Sequence, residues 1–214
     1  MKKLLFLLPL VMMAMAACDD KDSYSVNITQ DLCMFTWHGI GKGATFTTDA
    51  GKTYRMANGG SYAQLKTDSA YRMMVYYTPV DTVSADIQAL AYVPVLRDSS
   101  SVVVAKPDTV YNVTKAWAGG GYINTNVVVK TGTADVRSTF GYRIDSTHVA
   151  GGDRKAARRY VSLFYRKNDP LDYYSQTICF SIDPRDFGVQ AGDTVSFNTL
   201  SQVNKSYVYN FVMK

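Results

Sequence analysis

The sequence predicts an all-β protein in two parts, a small β-barrel followed by an antiparallel β-sandwich. Three observations predict it. All 18 acidic residues are Asp, with no Glu anywhere; Glu favours helices, whereas Asp favours turns and caps. Sixteen Tyr, together with abundant Thr and Val, are strand-forming. Beyond the first residues no long segment carries apolar residues at helical spacing, and short runs recur between Gly, Asn, Asp and Pro breaks instead.

The amino terminus is an export signal by pattern. Lys2 and Lys3 precede an unbroken apolar-rich run from Leu4 to Ala17, which ends on the small residues Ala16 and Ala17. As a helix the run is roughly 21 Å long, short of the ~30 Å needed to cross a bilayer. Met15-Ala16-Ala17-Cys18 resembles a lipobox, so residues 1–17 are expected to be cleaved and Cys18 to be lipidated. Several acyl chains anchor stably where one is marginal. Residues 18–30 are expected to form a flexible tether, since Asp19, Asp20 and Asp22 lie in a stretch too polar to bury surface. That acidic run resembles the sorting signal that many Bacteroidota use for surface lipoproteins. The expected location is the outer membrane, with surface display favoured over the periplasmic face.

Without residues 1–17 the chain keeps 197 residues, and of its 23 Lys and Arg it loses Lys2 and Lys3, leaving 21 cations against 18 Asp. The length suits one large or two modest β domains. The mild positive balance gives no reason to expect a nucleic-acid partner.

The first domain is expected over residues 31–106. Leu32–Trp37 reads as its first strand, and Ala44–Thr48 and Thr53–Met56 flank the turn Asp49-Ala50-Gly51-Lys52 as a hairpin. Ala70–Thr78, stopped by Pro79, then Ile87–Val93 and Val102–Val104 complete a set of the size of a small barrel. Lys106-Pro107-Asp108 marks the expected boundary. Residues 107–214 offer strands at Val110–Val113, around Trp117 and Tyr122, and at 126–130, 140–144, 159–165, 176–182, 195–198 and 207–212, which fits a sandwich.

Four segments, taken in order, resemble the NigD-like lipoproteins of Bacteroidota. They are Gly43-Ala44-Thr45-Phe46-Thr47-Thr48-Asp49-Ala50-Gly51-Lys52-Thr53-Tyr54, Tyr76-Tyr77-Thr78-Pro79-Val80-Asp81, Trp117-Ala118-Gly119-Gly120-Gly121-Tyr122-Ile123-Asn124 and Phe164-Tyr165-Arg166-Lys167-Asn168-Asp169. The resemblance implies that the first domain is an OB-like barrel and the second a sandwich. It implies no catalytic residues. The last segment lacks the histidine often found there, so no role for that histidine is carried over.

Chemistry is sparse. His38 and His148 each stand alone, without a ligand at metal spacing, and no G-x-S-x-G elbow is present. No cofactor or metal is expected. Asp49, Asp153 and Asp193 read as turn caps, and Gly119-Gly120-Gly121 as a tight turn or bulge rather than a phosphate cradle, because no helix follows. Trp117 reads as an anchor of the sandwich core. Cys33 and Cys179 sit in apolar strands near opposite ends of the chain, which favours two buried thiols over a disulfide.

Two surfaces are candidates for binding. Tyr71, Tyr76 and Tyr77, with Tyr92 near them, either fill the core or form an aromatic face of the OB-like barrel. Arg154, Lys155, Arg158 and Arg159 form either a solvated loop or a contact for anionic polysaccharide, lipid A phosphates or an acidic partner. Asp68-Ser69-Ala70, Asp81-Thr82-Val83, Asp108-Thr109-Val110, Asp145-Ser146-Thr147 and Asp193-Thr194-Val195 resemble acceptor triplets of Bacteroidota O-glycosylation. The expected role is a non-enzymatic binding or accessory module, held on a membrane by its anchor, with a protein or glycan partner. The alternatives are a bacteriocin-associated accessory or immunity factor and a surface glycan hydrolase.

Overall fold

The computed structural model describes residues 27–101, 107–133, 138–149, 156–168 and 170–213. The chain begins with β1 (Thr29–Trp37), where Cys33, Phe35 and Trp37 alternate inward at period two. β2 (Ala44–Thr48) and β3 (Thr53–Met56) form the expected hairpin. Gly51 takes φ 84° in its loop, and the Thr48 and Lys52 backbones close it with an N–H···O bond of 2.9 Å. β4 (Ser69–Pro79) and β5 (Ser84–Tyr92) complete a closed barrel of order β1-β2-β3-β5-β4, in which only β3 and β5 run parallel. This is the small OB-like barrel that the resemblance implied. Phe46, Tyr54 and Tyr77 pack ring to ring at 5.0–5.3 Å inside it. Tyr62, from the loop before β4, sets its ring edge against Phe35 and Trp37.

Two four-stranded sheets make the second unit. One has the order β6-β11-β8-β7, from β6 (Val95–Leu96), β7 (Asn112–Gly119), β8 (Tyr122–Thr131) and β11 (Tyr174–Ile182). The other has the order β13-β12-β10-β9, from β9 (Thr139–Val149), β10 (Ala157–Arg166), β12 (Thr194–Ser201) and β13 (Lys205–Val212). Pairing is antiparallel except for β6 with β11 and β10 with β12. Ile123, Val127, Val129, Val161, Phe180, Ile182, Val195 and Phe197 fill the space between the sheets. A single 3-10 turn, Pro184–Phe187, is the only helical element among the described residues. Asp183 caps its start and Gly188, at φ 68°, ends it.

Two features differ from the expectations. The chain joins the second sheet at Val95, well before Lys106-Pro107, because β6 pairs with Ser181 and Ile182 of β11. No slack linker separates the units: Val93 N–H donates to the Arg72 carbonyl at 3.0 Å, and the next carbonyl, Pro94, accepts from Ser181 N–H at 3.0 Å. Trp117 is not a core anchor. A register shift between Val113 and Lys115 moves the inward phase of β7 from Val113 to Ala116. Trp117 therefore turns outward, half-buried, with the Lys115 ammonium 4.9 Å from its ring. The expected strand Val102–Val104 lies outside the described residues.

Candidate functional site

The most concentrated polar chemistry lies where barrel meets sandwich. Arg72 on β4 is 3% exposed. Its guanidinium donates to both oxygens of Asp49, on the β2–β3 turn, at 2.5 and 2.7 Å. The same group donates to Asn124 Oδ1 at 3.0 Å and Ser181 Oγ at 3.1 Å, both on the sandwich and both fully buried. Ser181 Oγ–H in turn donates to Asn124 Oδ1 at 2.7 Å, and Asn124 Nδ2 donates to Asp49 at 3.1 Å. The Tyr122 ring sits 4.6 Å from the guanidinium carbon. A bidentate Arg–carboxylate pair fixes the geometry of this clasp.

The triple glycine belongs to the same structure. Gly120 and Gly121, at φ 61° and 81°, are the two central residues of a hairpin turn between Gly119 and Tyr122, the type I′ geometry that needs two positive φ values. A Cβ on Gly119 would stand 2.8 Å from Asp49 Oδ2, and one on Gly120 2.2 Å from Asp49 Oδ1. Gly120 N–H donates to the Asp49 carbonyl at 3.3 Å. Asp49 is therefore more than a turn cap, and the Gly-Gly-Gly run is the surface that receives it.

The predicted residues are dispersed. Tyr77 is in the barrel core at 3% exposure, its hydroxyl donating to Asp31 at 2.8 Å, so it forms no part of a binding face. Tyr71 is half-buried, its hydroxyl accepting from Lys66 N–H at 2.7 Å. Tyr76 is half-buried and Tyr92 is 65% exposed. Tyr76 and Tyr92 line one cleft at the seam, while Tyr71 and Tyr92 line a second groove on the barrel. Arg158 is exposed on β10; Arg159, its neighbour, donates to the carbonyls of Phe187 and Gly188 at 3.2 and 3.3 Å and so closes the 3-10 turn. Successive strand residues face opposite sides, so these two do not act together. Arg154, Lys155 and Asp153 lie outside the described residues, as do Cys18, Asp19, Asp20 and Asp22.

Other groups have structural partners. His38 bridges Asp68 at 2.9 Å and Thr45 at 3.0 Å, and His148 packs against Tyr160. Among the described residues no cluster of three metal-ligating side chains is present. Cys33 and Cys179 are free thiols, and burial pushes them up to about 12 and about 11. Asp193 accepts from Gln190 N–H at 3.0 Å and Ala157 N–H at 2.7 Å, the capping role expected of it. Of the Ser and Thr in the five acceptor-like triplets, Thr82, Ser146 and Thr147 are exposed, and Ser69, Thr109 and Thr194 are half-buried. Neither the seam cleft nor the barrel groove is lined by a carboxylate, so neither supplies the paired acids of glycoside hydrolysis. The one trace of Arg72 in the sequence is its place as an Arg inside the apolar run Ala70–Thr78.

Solved structures share this architecture. A NigD-like immunity protein from Bacteroides caccae superposes with a TM-score of 0.62 at 16% identity, over 88% of this chain and 99% of its own. The fold is the NigD-like fold. A protein of unknown function from Bacteroides vulgatus gives 0.62 at 10% identity, over 87% and 91% of the two chains. A candidate lipoprotein from Bacteroides fragilis gives 0.57 at 12% identity, over 87% and 98%. No protein-family model and no curated protein matches the sequence. None of these three fold neighbours carries an enzyme's name. No helix among the described residues is long and apolar enough to cross a membrane.

Proposed function

We propose that this chain is a lipid-anchored outer-membrane protein, displayed on the cell surface, that works as a non-enzymatic binding or accessory module. The observation that carries the reading is the clasp. Its buried charges are spent on joining two β units, and what the described residues offer to solvent along the seam is a cleft lined without a carboxylate or histidine. Met15-Ala16-Ala17-Cys18 and the acidic Asp19, Asp20 and Asp22 supply the anchor and the sorting argument. The candidate lipoprotein of the same fold supports the anchored form.

Fractionation and protease shaving test the location. The native chain should sediment with outer membranes, and Cys18→Ala should release it to the soluble fraction. Surface protease should degrade it on intact cells; full protection would contradict display. The immunity protein among the fold neighbours favours a second reading, an accessory or immunity factor for a bacteriocin. Deleting the gene should then alter toxin sensitivity or production, and unchanged killing would count against it.

A further inference from the structure

We propose, on the reading of this chain as a binding module, that the seam cleft binds a neutral saccharide. The cleft is an open groove of about 520 Å³ between barrel and sandwich, within the ~300–1,000 Å³ typical of small-ligand sites. Gln30, Tyr76, Tyr92 and Met74 come from the barrel wall, and Asn126 and Thr177 from the sandwich. No Asp, Lys, Arg or His lines it. A charged ligand would therefore lose hydration without meeting a counter-charge.

The remaining chemistry selects hydroxyl-rich ligands. Asn, Gln and Thr side chains both donate and accept, which suits an array of hydroxyls. Tyr92 presents most of its ring to solvent, a platform for the apolar face of a sugar ring. The Arg72 clasp holds the two walls at a fixed spacing.

Calorimetric titration of the full chain with neutral oligomers of glucose, xylose, mannose and N-acetylglucosamine tests the assignment, with oligogalacturonate as the charged comparator. At least one neutral oligomer should bind, Tyr92→Ala and Asn126→Asp should each weaken it at least about tenfold, and Tyr173→Ala, an exposed tyrosine outside the cleft, should leave it unchanged. Circular dichroism of each variant guards against loss of fold. The assignment is overturned by failure of every neutral oligomer, by tighter binding of oligogalacturonate, or by neutral binding that Tyr92→Ala does not alter. Those outcomes leave the anchored, surface-displayed reading standing, and protease shaving tests that reading independently of the titration, full protection contradicting display.

Discussion

Arg72 carries the largest single consequence at the level of one residue. Its charge is out of solvent, and among the described residues Asp49 is the carboxylate paired with it. Removing one member of such a pair strands the other, at a cost of about 3–5 kcal/mol. Asp49→Ala should therefore lower stability by that amount in urea denaturation, more than Asp81→Ala, whose carboxylate caps an exposed turn. Equal losses would contradict the clasp. Asp193 makes a separate prediction in pH. Hydrogen bonds from Gln190 N–H and Ala157 N–H hold its carboxyl below the ordinary value of 3.8. The native state thus favours the ionised form, so this contribution is complete above the unfolded value and is lost as pH falls through the lower native one. The stability gap between the native chain and Asp193→Asn should be constant from pH 5 to 7 and shrink below about pH 4; a gap that widens on acidification would contradict the assignment.

Strands explain what the sequence could and could not reveal. Alternation in β1, the β2–β3 hairpin and the stop at Pro79 are local, and they were legible because side-chain period and turn chemistry are written within a few residues. Trp117 was misread for an equally local reason: a one-residue bulge between Val113 and Lys115 reverses the face, and a bulge leaves little trace in composition. The two tryptophans now separate cleanly. Trp37→Ala, at 2% exposure, should cost about 3–5 kcal/mol. Trp117→Ala, half-buried on the outer face, should cost under about 1 kcal/mol in the same urea titration. Comparable losses would place Trp117 back in the core.

At the scale of the whole molecule, the clasp joins segments far apart in sequence. Asp49 and Arg72 come from the barrel and Asn124 and Ser181 from the sandwich, so no window of the sequence displays them together. The sequence signalled the parts instead: an Asp on a hairpin turn, an Arg inside an apolar strand, and a Gly-Gly-Gly hairpin ahead of an Asn. Short connection and buried ion pair together make barrel and sandwich one cooperative body, which is also what would keep the seam cleft at a fixed width. Each unit holds one tryptophan, Trp37 in the barrel and Trp117 in the sandwich. Urea unfolding followed by fluorescence in Trp117→Phe, which reports the barrel, and in Trp37→Phe, which reports the sandwich, measures this directly when each is compared with circular dichroism of the same variant. Coincident fluorescence and circular-dichroism midpoints within each variant are the predicted result; a barrel or sandwich that melts separately from the rest of its own chain would contradict the account.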